Sequence, residues 1–224
     1  MRPMLKICGL MRAEDVRMCC EMGVDICGFV TEYPLDVPWN LTREQCAALI
    51  SQVVPPAKSC IVTGGASGAV IALALALRPD YVQLHYHETI EDTADIVRVL
   101  SPGGIRVIKT ISASPEERRS QFKTDDPALC AKLLTDIGVS VILVDSRGPS
   151  NASSGGSAAD LPLYEKVKKA ASCPVMLGGG IRPDNYSHIA AVYQPDILDV
   201  MTGVETVPGV KSRELLRLMC GETA

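Results

Sequence analysis

Leu5-Lys6-Ile7-Cys8-Gly9 is a short apolar run that stops on a thiol and a glycine, and Val141-Ile142-Leu143-Val144-Asp145-Ser146 stops in the same way on a carboxylate. Outward from these two stretches, β-type runs alternate with helical patterns along the whole chain. The spacing predicts strands at Met4–Cys8, Ile26–Val30, Ser59–Val62, Tyr81–Leu84, Arg106–Thr110, Val141–Asp145, Pro174–Leu177 and Ile197–Val200. Helical stretches separate them at Ala13–Met22, Thr42–Val53, Gly68–Leu77, Ile90–Leu100, Pro127–Ile137, Leu161–Ala171 and Pro183–Val192, and Ser212–Cys220 closes the series. Thr42 ahead of Arg43-Glu44-Gln45 forms a capping box, and Pro183-Asp184 suits a first helical turn. Repeated β/α units in a chain of 224 residues predict an α/β protein, a closed (β/α)8 TIM barrel forming one domain over 1–224. In such a barrel the C-terminal ends of the strands face one pocket, so Cys8 and Asp145 are expected to share a site suited to general acid/base chemistry.

Composition narrows the function classes. At 47% hydrophobic residues the chain can bury a substantial core, and a net charge of -4 with acids and bases interspersed leaves no basic footprint for nucleic acid. The longest apolar run, Ala69–Leu77, is about half of a bilayer span, and no signal-type segment precedes the first strand pattern. The expectation is a cytoplasmic protein with no membrane or nucleic-acid partner. Nine cysteines, an odd number without a Cys-x-x-Cys pair, read as free thiols in a reducing compartment. Cys19, Cys20, Cys27, Cys46, Cys60, Cys130, Cys173 and Cys220 fall within helix or strand patterns and read as small buried hydrophobes, whereas Cys8 closes a strand.

Two segments suit phosphate. Leu177-Gly178-Gly179-Gly180 follows the seventh predicted strand, and Met201-Thr202-Gly203-Val204 follows the eighth. Loops at these places commonly hold a phosphate on backbone N–H groups, which glycine lets approach an anion. The Ser-, Gly- and Ala-rich stretch from Ser146 to Ala159 reads either as a surface loop or as a lid that bends at Gly155-Gly156. His85 and His87 lie two apart at a strand end, but no third ligand is spaced nearby, so no metal is expected.

The combination of Lys6-Ile7-Cys8-Gly9-Leu10, Asp80-Tyr81-Val82-Gln83-Leu84-His85, Val144-Asp145-Ser146, Gly179-Gly180-Ile181-Arg182-Pro183-Asp184-Asn185, Gly203-Val204-Glu205 and Pro208-Gly209-Val210-Lys211 resembles the phosphoribosylanthranilate isomerases of tryptophan biosynthesis. The resemblance implies an Amadori rearrangement of N-(5'-phosphoribosyl)anthranilate to 1-(2-carboxyphenylamino)-1-deoxyribulose 5-phosphate. It implies Cys8 as general base, Asp145 as general acid and no cofactor. Gln83, His85 and Asp199 are then expected against the substrate, and Gly156, Gly179, Gly180, Thr202 and Gly203 around its phosphate. The partner is a small phosphosugar, and the protein itself a monomer or homodimer. Lys6 shares a strand face with Cys8, so it either favours the thiolate or packs against a carboxylate inside the barrel.

Departures from the family pattern gather at one end. Val37-Pro38-Trp39 stands where the family has Ser-Pro-Arg, whose arginine grips the anthranilate carboxylate, and tryptophan cannot form that bidentate pair. Tyr86-His87, Ser153-Ser154-Gly155-Gly156 and Met201-Thr202 also differ from the usual residues, although Asp160 matches. Two readings follow: Arg147 or Arg182 holds the carboxylate instead, or the chain is a barrel paralogue that isomerises or binds a different phosphosugar.

Overall fold

The computed structural model describes residues 2–146 and 158–220. Eight parallel strands close into a barrel in chain order. They are β1 (Met4–Ile7), β2 (Ile26–Val30), β3 (Lys58–Thr63), β4 (Tyr81–Leu84), β5 (Arg106–Ser112), β6 (Val141–Asp145), β7 (Val175–Gly178) and β8 (Ile197–Val200). The predicted strands are all present, with ends displaced by two residues or fewer. Helices α1 (Ala13–Glu21), α2 (Arg43–Ile50), α3 (Ser67–Leu77), α4 (Ile90–Leu100), α5 (Pro115–Phe122), α6 (Pro127–Asp136), α7 (Leu161–Ala170), α8 (Pro183–Tyr193) and α9 (Arg213–Cys220) complete the β/α alternation. Thr42 caps α2 as expected, with Gln45 returning the bond to the Thr42 N–H. That helix stops short of Val53, ahead of Pro55, which disfavours helical backbone in the residue before it.

Two elements were not expected. α5 is an extra helix after β5, and a hairpin of β9 (Glu205–Val207) and β10 (Val210–Lys211) follows β8. α5 carries no apolar stripe. Ser114 caps its N-terminus, and the Arg118 guanidinium donates to the carbonyls of Ser112, Ala113 and Asp125 at 2.7, 2.9 and 2.8 Å. Cys173 was assigned to an element and lies instead in the connection before β7; the backbone there turns between α7 and β7.

The alternation of strand side chains builds two cores. Ile26, Cys60, Tyr81, Ile108, Val141, Leu143, Met176 and Ile197 form one cluster. Their sequence neighbours join a larger core that takes in helix residues such as Val16, Leu73, Ile96, Leu134 and Tyr164, so the first cluster fills the barrel and the second lies between barrel and helices. Lys6 pairs in register with Ile26 on one side and Asp199 on the other, which places it in the inner layer where β1 and β8 seal the barrel. Gly28 on β2 leaves room there: a Cβ would stand 3.2 Å from both the Cys8 sulfur and Lys6 Cε. Among the described residues no helix is long and apolar enough to cross a membrane.

Between barrel and helices a second buried charge pair ties loops together. Lys109 of β5 donates to Glu88 at 2.8 Å with both side chains inaccessible, and Glu88 also accepts from the N–H groups of Gly65 at 2.9 Å and Tyr86 at 3.2 Å. One carboxylate thus joins the loops after β3 and β4 to the wall of the barrel. Removing one partner of such a pair strands a charge in the interior. Lys109→Met should therefore lower the unfolding free energy by about 3–5 kcal/mol, read from urea denaturation by circular dichroism.

Candidate active site

One pocket opens at the C-terminal ends of the strands, with about 720 Å³ of empty space including its mouth. The alternation that fills the barrel also fills this pocket. Cys8 follows β1, Val30 and Val62 end the inner faces of β2 and β3, Gln83 and His85 come from β4, Asp145 from β6 and Asp199 from β8. The Cys8 N–H donates to the Val200 carbonyl at 2.8 Å, so the residue that carries the thiol is pinned to β8 although it lies past its own strand.

Electrostatics differ between the two candidate proton-transfer groups. Lys6 Nζ donates to both carboxylate oxygens of Asp199 at 2.8 Å, and Lys6 is wholly buried. Burial alone would lower the Lys6 ammonium, but Asp199 reverses this and holds it above the usual lysine range. Burial pushes the Cys8 thiol up; the Lys6 charge pulls against it, and the net result lies above the ordinary thiol value of 9.0. Both sequence readings of Lys6 therefore hold in part: it packs against a carboxylate, and it opposes the desolvation of Cys8 without overcoming it. Across the pocket, His85 Nε2 stands 3.3 Å from Asp145 Oδ2. A hydrogen bond here requires one proton between imidazole and carboxylate, on whichever atom the tautomer dictates. The His85 carbonyl accepts the Tyr33 hydroxyl proton at 2.7 Å, which braces the end of β4 from the loop after β2. Gln83 Oε1 is buried with no hydrogen-bond partner, an acceptor open to a donor from a ligand.

The loops after β7 and β8 bring Gly179, Gly180, Thr202 and Gly203 into the pocket wall. They meet backbone to backbone: a Cβ on Gly203 would fall 1.9 Å from the Ile181 carbonyl oxygen. Asn185 in the first turn of α8 holds this corner, donating to the Gly180 carbonyl at 2.9 Å and accepting from the Arg182 N–H at 2.8 Å. Gly156, Gly155 and the proposed lid hinge lie outside the described residues, as does Arg147.

The remaining wall is apolar. Val30, Tyr33, Val37, Trp39 and Val62 pack with Cys8 as one cluster on the side of β2 and β3. Tyr33, Val30, Val37 and Val62 were not picked out by sequence reasoning, because loop residues follow no period and valine ending a strand is unremarkable in composition. Trp39 does line the pocket; its indole N–H donates to Glu205 Oε1 at 3.1 Å. Arg182 does not: it is exposed and turns to Asp184 at 3.0 Å, the partner two residues on being nearer than the pocket. His87 packs its ring on Tyr86, centroids 4.4 Å apart, while His85 takes Asp145, so the two histidines do not act as a pair. Among the described residues no three His, Cys, Asp or Glu side chains are grouped as a metal site.

The chain has known relatives. The family described as "N-(5'phosphoribosyl)anthranilate (PRA) isomerase" matches residues 5–221. The N-(5'-phosphoribosyl)anthranilate isomerase of Rhodopseudomonas palustris is 32% identical over 221 residues, 97% of this chain and 94% of the relative. That of Methanosarcina acetivorans is 27% identical over 206 residues, 90% of this chain and 85% of its own length. The crystal structure of the Thermus thermophilus phosphoribosyl anthranilate isomerase superposes with a TM-score of 0.76 at 27% identity, covering 98% of this chain and 96% of that one. With the match running from β1 through α9, the chain belongs to the N-(5'-phosphoribosyl)anthranilate isomerase family.

Proposed function

We propose that the protein catalyses the Amadori rearrangement of N-(5'-phosphoribosyl)anthranilate to 1-(2-carboxyphenylamino)-1-deoxyribulose 5-phosphate, with Cys8 as general base and Asp145 as general acid. The observation that carries the assignment of roles is that the thiol and the carboxylate enter one pocket from β1 and β6, between a glycine-lined corner and an apolar wall. The glycine corner suits the phosphate and the apolar wall the aryl group, which leaves the ribose between the two proton-transfer groups.

The steps follow from that placement. The proton held between Asp145 and His85 goes to the furanose ring oxygen; the C1–O bond breaks as the amine lone pair forms C1=N, leaving an iminium cation. The Cys8 thiolate then takes the C2 proton, and the C2–H electrons move into C1=C2 to neutralise the nitrogen. The resulting enolamine tautomerises to the ketone. Gln83 Oε1 accepts from a sugar hydroxyl or the amine N–H, which satisfies its buried acceptor. Burial outweighs Lys6 at Cys8 and favours the thiol form. The iminium charge formed in the first step stands one bond from the carbon that Cys8 must deprotonate, and a cation at that distance favours the thiolate. The acid step thereby prepares the base for its own.

Cys8→Ser and Asp145→Asn should each keep the circular dichroism spectrum and lose about 10²- to 10⁴-fold in kcat, the range expected for one proton-transfer group. Cys19→Ser and Cys130→Ser, both remote from the pocket, should stay within about twofold of wild type. Retained turnover in Cys8→Ser would remove it as the base.

Since burial raises Cys8, its reactive form grows with pH through and beyond the ordinary thiol value of 9.0. The rate constant for inactivation of the free enzyme by iodoacetamide should therefore still be climbing at pH 9. A midpoint below pH 8 would contradict the stated balance between burial and Lys6.

For the phosphate corner, inorganic phosphate should compete with substrate. Gly203→Ala, which must push the loop after β8 off Ile181, should raise both KM and the phosphate inhibition constant by about tenfold, equivalent to losing one charge-assisted hydrogen bond. Unchanged constants would place the phosphate elsewhere.

A further inference from the structure

The indole of Trp39 is fixed more firmly than a wall residue needs to be. Its N–H donates to Glu205 Oε1, and the same oxygen accepts from Lys211 Nζ at 2.7 Å and from the Gly209 N–H at 3.2 Å. Lys211 is wholly buried, donates also to the Met201 carbonyl at 3.3 Å, and is anchored through its own N–H to Asp15. The hairpin of β9 and β10 therefore presents one buried carboxylate whose charge is met by an ammonium and whose direction is set by three donors. A hydrogen bond into such a group selects one orientation of the ring.

The ring carbon next to that N–H, Cδ1, adjoins the main chain beside Cys8. Gly9, directly after Cys8, has φ +69°, and a Cβ there would stand 3.0 Å from Trp39 Cδ1 and 2.6 Å from Met201 Cε. Glycine at this position lets the indole lie against the main chain one residue from the thiol. The ring completes the apolar wall with Val30, Tyr33, Val37 and Val62.

We propose that Trp39 is the specificity-determining residue for the aryl group: the indole stacks on the aromatic ring of an N-aryl phosphoribosylamine, and Glu205 with Lys211 positions it for that contact. The inference rests on the rearrangement proposed above. Recognition is then by a flat π-surface at a set angle, which favours a planar aryl amine over an aliphatic one.

Trp39 is the only tryptophan in the chain, so its emission reports on this wall alone. Titrating wild type with 1-(2-carboxyphenylamino)-1-deoxyribulose 5-phosphate should quench that emission saturably, while ribulose 5-phosphate, which has no aryl group, should leave it within about a tenth of its starting value. Trp39→Ala should raise KM by about tenfold with kcat within about threefold, and Trp39→Phe should restore KM to within about threefold. Glu205→Gln, which keeps an acceptor for the indole but removes the anion facing Lys211, should shift the emission maximum and raise KM less than Trp39→Ala does. Normal turnover with emission unmoved by saturating product, or a KM unchanged in Trp39→Ala, overturns the inference and leaves the reaction standing. Quenching by product without turnover overturns the reaction and leaves the stacking wall standing.

Discussion

The contact on which the rest of the site depends is the ion pair of Lys6 and Asp199, across the seam where the first and last strands meet. Two unit charges taken out of water are tolerated only as partners, so the pair rewards a single register between β1 and β8. A slip by one residue would turn Lys6 toward the helices and Cys8 with it, because side chains alternate from one face to the other. The same pair sets the electrical background of the thiol. The ammonium is near enough to draw on Cys8, yet its charge is already met by Asp199, and burial holds the thiol above its ordinary value.

A second constraint works at the opposite side of the pocket. Asp145 faces His85, and His85 is held at its carbonyl by Tyr33 from a different loop. Asp145 is placed by β6, its partner His85 by the end of β4, and the brace on that partner by the loop after β2. Each group has its own rigid support, and they meet in one pocket. Glu88 and Lys109, outside the barrel, hold the loops after β3 and β4 from behind without entering the pocket.

The barrel was legible because its strands are short apolar runs with clear boundaries, and several pocket residues because they sit where such runs end. Cys8, Asp145, Gln83, His85, Asp199 and the two glycine corners followed from that placement together with the family resemblance, and the described ones all line the pocket. What escaped was held by interactions with no local signature. α5 buries one apolar side chain, Phe122, too few to show a period, and otherwise rests on a cap and on carbonyls that Arg118 gathers in. The bond from Trp39 to Glu205 spans 166 positions, so nothing near Trp39 announces it. Arg182, one of two cations that could have replaced the arginine, is exposed and pairs with Asp184 instead.

The pocket is divided by strand. The glycine corner comes from the loops after β7 and β8, the thiol and the carboxylate from the ends of β1 and β6, and the apolar wall from β2, β3 and the loop between β2 and α2. Because separate segments of chain make each part, mutations in one need not disturb the others, and drift can proceed at one end under selection on the rest. The same partition offers the protein engineer a scaffold in which the apolar wall can be rebuilt while the glycine corner is left as it is.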